Sequence, residues 1–221
     1  MSDLFEEKSK DWDGNELIKQ LSSAVGASIL EHVPLHERMQ VMDFGAGTGL
    51  ICSQIAQRVE KITAVDISEA MLEKLAAKPE LRDKVETVCQ DIVKAPLEYR
   101  FDLIVSAMAM HHIEDTHLLV RRFAEHAKPG ALVALADLDK EDGSFHPEGT
   151  EGVHHHGFER AALQEILEEC GFKTIRFFTA HTIQKEERSY PVFLVTAEKQ
   201  NLDQFLPIRY PPPAESLQIE L

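Results

Sequence analysis

The sequence predicts an α/β protein built on a doubly wound, mainly parallel sheet, and three observations carry that expectation. Short apolar runs alternate with amphipathic helical stretches through most of the 221 residues. One apolar run, Val41-Met42-Asp43-Phe44, climbs into a glycine loop, Gly45-Ala46-Gly47-Thr48-Gly49, after which a helical pattern begins. A second run, Ile62-Thr63-Ala64-Val65-Asp66, ends in a carboxylate about 20 residues further on, the arrangement by which nucleotide-binding α/β folds hold a ribose.

The elements follow in order. Over residues 15–31, Leu17, Ile18, Leu21, Val25 and Ile29 recur at helical spacing, which predicts an amphipathic helix. Residues 41–44 form the first strand and residues 50–58 its crossover helix, with Leu50, Ile51 and Ile55 toward the sheet. Residues 62–65 form the second strand. Ser68 suits the N-cap of a helix over 69–78, with Met71, Leu72 and Leu75 inward. Residues 85–89 and 101–106 are the third and fourth strands. Asp115 opens a helix in which Leu118, Leu119, Phe123 and Ala124 are periodic, and Lys128-Pro129-Gly130 stops it before a fifth strand over 131–136. A helix over 158–170 closes at Gly171. Residues 172–180 and 190–197 read as two strands joined by a polar turn. No helix separates them, so one of the pair must run antiparallel. Residues 200–221 contain Tyr210-Pro211-Pro212-Pro213, a polyproline-type stretch that builds no core element and is either a packed tail or a disordered end.

Composition narrows the function. The chain is long enough for one well-buried domain, and its 43% hydrophobic and 28% charged residues are ordinary for a globular protein. A net charge of −15 argues against nucleic acid and anionic membrane as partners, since phosphates demand a basic footprint. Cys52, Cys89 and Cys170 show neither metal spacing nor a disulfide framework and are expected to be buried thiols of a reducing compartment. The acidic N-terminus is no signal peptide, and no run approaches the roughly 18 apolar residues of a membrane helix, so a cytoplasmic location is expected.

Glycines before a helix let backbone N–H groups approach a ligand with no Cβ in the way, and the helix start adds free N–H groups. Between the fifth strand and the next helix lies a long connection, residues 137–157, far beyond the usual 2–6 or so. Long loops at the C-terminal ends of parallel strands are where such folds bind ligands.

Taken together, Asp43-Phe44-Gly45-Ala46-Gly47-Thr48-Gly49, Val65-Asp66, Asp91-Ile92, Phe101-Asp102-Leu103-Ile104-Val105 and Lys128-Pro129-Gly130 resemble the ordered motifs of class I S-adenosylmethionine-dependent methyltransferases. The resemblance runs from about Phe5 to Lys199 and implies a Rossmann-like sheet of seven strands with an antiparallel strand in the C-terminal hairpin. It implies a methyltransferase domain over 1–199, with 1–35 as a helical lid segment and 200–221 as a tail. Gly45, Ala46, Gly47 and Gly49 would cradle the methionine part of S-adenosylmethionine, and Asp43 would help hold its amino group. Asp66 would bind both ribose hydroxyls, with Ile67 and Met71 flanking the adenine. Asp91 would read the adenine amino group, Ile92 beside it, and Ser106 and Ala107 would lie near the transferred methyl. Residues 5–13 resemble the segment that closes over the cofactor, with Trp12 where a Tyr is commoner.

Two histidine groups are expected to converge at the C-terminal edge of the sheet. Met110-His111-His112-Ile113 follows the fourth strand; His146 and His154-His155-His156 lie in the long loop. His111 and His112 are the candidates for general base, while Met110, His146, His154, His155 and His156 are expected in the acceptor pocket. No metal is expected, because three consecutive side chains on an extended segment cannot all turn to one centre. The favoured acceptor is a small molecule, and the sequence leaves self-association into a homodimer open. A nicotinamide oxidoreductase is the first alternative, although GxGxG is not the GxGxxG of dinucleotide folds. A non-catalytic partner subunit that kept the fold is the second.

Overall fold

The structure, a computed structural model, describes Asp3 and residues 5–201; most of the expected proline-bearing tail lies outside them. A short helix α1 (Glu6–Ser9) and a 3-10 turn (Trp12–Gly14) lead into α2 (Glu16–His32). Asn15 starts α2 by accepting from the N–H groups of Leu17 and Ile18 at 3.0 and 3.3 Å. Then follow β1 (Gln40–Phe44), α3 (Leu50–Ile55), β2 (Lys61–Asp66), α4 (Glu69–Ala76), β3 (Val85–Cys89) and β4 (Phe101–Ala107). The chain continues through α5 (Thr116–His126), β5 (Ala127–Leu138), α6 (Arg160–Glu169), β6 (Phe172–Lys185) and β7 (Arg188–Lys199). Ser68 and Asp115 cap α4 and α5 through their side chains.

The seven strands form one sheet in the order β3-β2-β1-β4-β5-β7-β6. β7 is antiparallel to both neighbours, β5 and β6; the other pairs are parallel. Alternation along β1 shows why the sheet is doubly wound. Val41 joins a core cluster with Val25, Ile29, Ile51, Ile55 and Leu75, from the α2, α3 and α4 side. Met42 and Phe44 join the opposite cluster with Leu119, Phe123, Leu163 and Leu167, from the α5 and α6 side. The order reverses between β1 and β4, which opens a crevice at their C-terminal ends.

Several boundaries differ from the sequence reading. The crossover helix stops at Ile55 and continues as a 3-10 turn, Ala56–Arg58. Lys128-Pro129-Gly130 lies inside β5 rather than before it: Ala127 already pairs with Phe101, and a register shift accommodates the three residues before Leu132 pairs with Leu103. Lys128 is held there by Asp102, Nζ to Oδ2 2.8 Å. The last two strands run almost to a tight turn at Glu186-Glu187, with Glu186 in the left-handed region (φ 54°). Only Cys52 is buried; Cys170 is half-buried and Cys89 exposed, against the expectation of three buried thiols.

Candidate active site

The glycine loop is shaped by its backbone. Gly45 and Gly47 have φ of 67° and 54°, conformations that L side chains rarely adopt. Gly45 sits at the sheet's switch point, where a Cβ would fall 2.2 Å from the Cβ of Ala109 in the loop after β4. A Cβ on Gly47 would meet nothing within 4 Å among the described residues, and Gly47 lines the cavity. The N–H groups of Gly45 and Ala46 both donate to the Val65 carbonyl, tying the loop to β2. Asp66 then organises the turn: Oδ2 accepts from Gly47 N–H at 2.8 Å and Oδ1 from Ser68 N–H at 2.9 Å. Burial raises its pKa, and those amide bonds oppose the rise.

Asp43 lies buried at the end of β1, with the Cys52 thiol donating to Oδ2 at 3.1 Å. Burial pushes its carboxyl up to about 7, the thiol opposes this, and nearby Asp66 adds to it. A carboxylate so poorly solvated is poised to receive a cation.

The N-terminal segment covers this cleft from two anchors. The Asp13 carboxylate is held by Thr48 Oγ1 of the glycine loop and by Lys78 Nζ at 2.7 Å. The Asp3 carboxylate accepts from Ser68 Oγ at 2.7 Å and from Ala70 N–H at 3.3 Å. Phe5 meets the ring of His112 edge-on, centroids 5.5 Å apart.

A cavity of about 270 Å³ runs beneath that cover. Of the residues singled out in the sequence, Trp12, Asp43, Gly45, Ala46, Gly47, Asp66, Ile67, Met71, Ala107, His111, His112 and His146 line it. Ile67 is 62% exposed at its rim, a large apolar side chain available to a flat ring.

The opposite wall is a cluster of three imidazoles. The ring of His111 lies 4.1 Å from that of His112 and 5.2 Å from that of His146. His111 Nδ1 meets Asp137 Oδ1 at 2.8 Å, both groups buried. A carboxylate only accepts, so Nδ1–H donates and Nε2, at the far edge of the ring, keeps its lone pair. That Nε2 is buried and has no hydrogen-bond partner among the described residues. Asp137 also accepts from the backbone N–H of His111 and of Leu138. His112 Nδ1 donates to the Gly152 carbonyl at 2.6 Å; burial, then His111, push its pKa down to about 4. His146 is likewise pushed down to about 4, by burial, then by His111 and His112.

Other expected site residues stand elsewhere. His154, His155 and His156 do not line the cavity, a correction to the expected acceptor pocket. The backbone N–H groups of His154 and His155 donate to the His111 carbonyl, and His155 Nε2 donates to the carbonyls of Ile113 and Glu114. The run therefore clips the long loop onto the turn that carries His111 and His112, while His156 stays exposed near Glu141. Met110 is fully buried core, and its neighbour Met108 takes the cavity wall. Ile92 packs in the core on the α5 side. Ser106 is buried in β4 and Gly49 packs over Leu75, both beneath the cavity rather than on it. Asp91 turns to the N–H of Val93 and to Lys94, capping the turn after β3, while Gln90 reaches the cavity.

Sequence reasoning missed Asp137 as the partner of His111. Its signal was present: a carboxylate near the end of β5, beside β4, whose following turn carries the histidine. Also missed were Phe145 and the carboxylate of Glu141, which accepts from the N–H groups of Gly143, Ser144 and Phe145 and so fixes the loop bearing His146. The loop is closed at its base by Asp139, bridged to Phe158 and clamped by two 2.7 Å bonds from Arg160.

The fold is a Rossmann-like sheet with an antiparallel β7, and the cavity opens at the C-terminal ends of its parallel strands. A family model described as "Methyltransferase domain" matches residues 17–177. Among curated relatives, trans-aconitate 2-methyltransferase of Deinococcus radiodurans is 32% identical over 167 residues, covering 74% of this chain and 58% of the relative. Malonyl-[acyl-carrier protein] O-methyltransferase of Priestia megaterium is 29% identical over 133 residues, covering 59% of this chain and 44% of the relative. The chain thus spans about half the length of these curated relatives. A Haloferax volcanii methyltransferase solved with the activator Trm112 superposes with TM-score 0.74 at 15% identity, over 90% of this chain and 99% of that one. Phosphoethanolamine N-methyltransferase 2 of Haemonchus contortus, solved with S-adenosyl-L-methionine, gives TM-score 0.65 at 18% identity, over 79% of this chain and 52% of that one. The chain belongs to the class I S-adenosylmethionine-dependent methyltransferase family, which sets aside the dinucleotide oxidoreductase reading. Among the described residues no helix is long and apolar enough to cross a membrane.

Proposed function

We propose that this protein transfers a methyl group from S-adenosylmethionine to a small molecule, with residues 1–199 as the catalytic domain. The observation that carries the reading is the pairing, in one cleft, of a glycine loop with the buried carboxylate of Asp43 and the half-buried one of Asp66. The residues fit the cofactor. Gly47 leaves room for its methionine chain, Asp43 suits an α-ammonium, and Asp66 suits ribose hydroxyls, with Ile67 and Met71 beside the ring. When bound, the cofactor supplies an electrophilic methyl on a sulfonium. The chain supplies proximity, alignment and exclusion of water, the last through the Phe5 and Trp12 segment held by Asp3 and Asp13. His146 Nε2 is also buried without a partner among the described residues, but His111 Nε2 is the one whose ring is oriented by a carboxylate, Asp137 fixing its tautomer so that Nε2 can take a proton.

The small cavity and the acidic chain support a small acceptor over a polymer. Incubating the protein with methyl-tritiated S-adenosylmethionine and a size-fractionated extract tests this. A new labelled species in the low-molecular-weight fraction, resolved from S-adenosylmethionine itself, supports the reading; label on protein or RNA alone contradicts it.

A further inference from the structure

The acceptor half of the cavity combines a proton sink with a shortage of cations. The sink is the His111–Asp137 pair: an unpartnered buried Nε2 on a ring whose other nitrogen is tied to a buried carboxylate. Leaving such an atom without a partner costs about 1–3 kcal/mol, so the fold carries it at a penalty unless a ligand engages it. Lys8 is the one lysine or arginine among the described residues lining the cavity, and it is exposed, 5.1 Å from the Phe5 ring. Lys185, the other cation near His146, is engaged: it donates to the Phe145 carbonyl at 2.8 Å and lies over that ring. Among the described residues no arginine lines the wall to grip a carboxylate in the paired fashion that charge demands. The remaining wall is aromatic, with its rings set across one another at 81°, 54° and 89°, an arrangement that offers edges and faces to a further ring. Phe5, His112, His146 and Phe145 follow one another with ring centroids 5.5, 6.3 and 4.8 Å apart.

We infer that the acceptor is of the phenol class: a flat apolar ring bearing a neutral hydroxyl whose proton passes to His111 Nε2. The inference rests on the methyl-transfer reading above and adds the acceptor's chemistry. The two curated relatives named above are a malonyl-carrier O-methyltransferase and a trans-aconitate methyltransferase; among its described lining residues this cavity has no arginine to pair with a carboxylate acceptor. A carboxylate would need a cation and no base, leaving the buried pair without a task. In the step itself the acceptor O–H bond breaks and its proton goes to Nε2. The oxygen's electron pair forms the new O–C bond while the S–C bond breaks and leaves its pair on sulfur. The products are an aryl methyl ether and S-adenosylhomocysteine. The imidazolium, stabilised by the Asp137 carboxylate, then returns its proton to water. Asp137 acts through His111 and is a positioning residue.

The test uses 4-methylphenol, 4-nitrophenol and benzoate as probes, with the wild-type chain and Asp137→Asn. Calorimetry on the S-adenosylhomocysteine complex should show 4-methylphenol bound at least about tenfold more tightly than benzoate. Both phenols should be methylated and benzoate not. Asp137→Asn should lower kcat for 4-methylphenol by about 100-fold or more, with S-adenosylhomocysteine affinity unchanged. The loss should shrink for 4-nitrophenol, a far more acidic phenol that arrives largely ionised. If Asp137→Asn does not fold, His111→Gln gives the same comparison. Preferential binding or methylation of benzoate would overturn the inference. So would an equal loss with both phenols, the mark of a merely structural carboxylate. Cofactor binding with neither phenol bound nor methylated overturns the phenol class and leaves methyl transfer standing, whereas absence of cofactor binding brings down the underlying reading.

Discussion

If Asp43 holds the cofactor as proposed, it couples pH, stability and cofactor affinity in a way that can be worked out before any experiment. Burial pushes its carboxyl from 3.8 up to about 7. At about 1.4 kcal/mol per pH unit, the ionised form costs the ligand-free fold about 4 kcal/mol. The sign follows from a folded-state pKa raised above the unfolded one. The group's stabilising contribution is complete below the unfolded value near 4 and is lost as pH rises through about 7. Asp43→Asn removes that dependence while approximating the protonated side chain. The ligand-free variant should therefore be more stable than the wild type, by a margin that grows from about pH 4 and levels off above about 7. Urea unfolding of the two proteins at each pH isolates this group, since His112 and His146 shift both proteins alike. Cofactor binding should behave oppositely, because a cationic α-ammonium requires the carboxylate. Wild-type affinity for S-adenosylmethionine should rise about tenfold per pH unit between pH 5 and 7, and that slope should vanish in Asp43→Asn, whose affinity is weaker at pH 7. A flat wild-type profile below pH 7, or the same slope in both proteins, would refute the coupling.

Further expectations concern neighbouring parts of the site. Asp66→Ala should weaken S-adenosylmethionine binding by about 100-fold in calorimetry, since it deletes the proposed ribose acceptor and releases the N–H groups of Gly47 and Ser68. Gly47→Ala should cost only about 1 kcal/mol of stability, the strain of its positive φ, yet reduce cofactor affinity, because its Cβ enters space a ligand needs. The two effects are read by denaturation and calorimetry on one sample. His112 is held neutral, its pKa depressed from 6.5 to about 4, so its contribution is present above pH 6.5 and lost as pH falls through 4. His112→Gln should accordingly keep up to about 3 kcal/mol that the wild type loses between pH 7 and 4, by urea unfolding. Glu141→Gln weakens the three amide bonds that hold the Phe145–His146 loop, so acceptor KM should rise several-fold with S-adenosylmethionine Kd unmoved.

Much of the architecture was legible because local signals agreed. The β1 run places Val41 and Met42 in different cores, Ser68 and Asp115 cap as their types suggest, and the absence of a helix between the last strands required one antiparallel member. The errors fell where tertiary pairing overrides local chemistry. Lys128-Pro129-Gly130 looks like a terminator, yet Ala127 is recruited by Phe101 and the triplet becomes an irregularity within β5. On the cofactor side, the glycine loop and its two acids are close in sequence, and the structure brings them to one cleft. The acceptor side depends on contacts across about 26 to 40 positions, such as His111 to Asp137 and His112 to Gly152. Residue type alone did not tell His146, which lines the cavity, from His155, which spends its ring nitrogen on two backbone carbonyls. That distinction comes from how the loop closes at Asp139, Phe158 and Arg160.

The most direct test of the cofactor assignment is a pair of calorimetric titrations of the wild-type chain at pH 7.5, one with S-adenosylmethionine and one with NADH. Saturable one-to-one binding of S-adenosylmethionine is expected, weakened about 100-fold in Asp66→Ala, with no binding of NADH. Binding of NADH in place of S-adenosylmethionine would contradict the assignment.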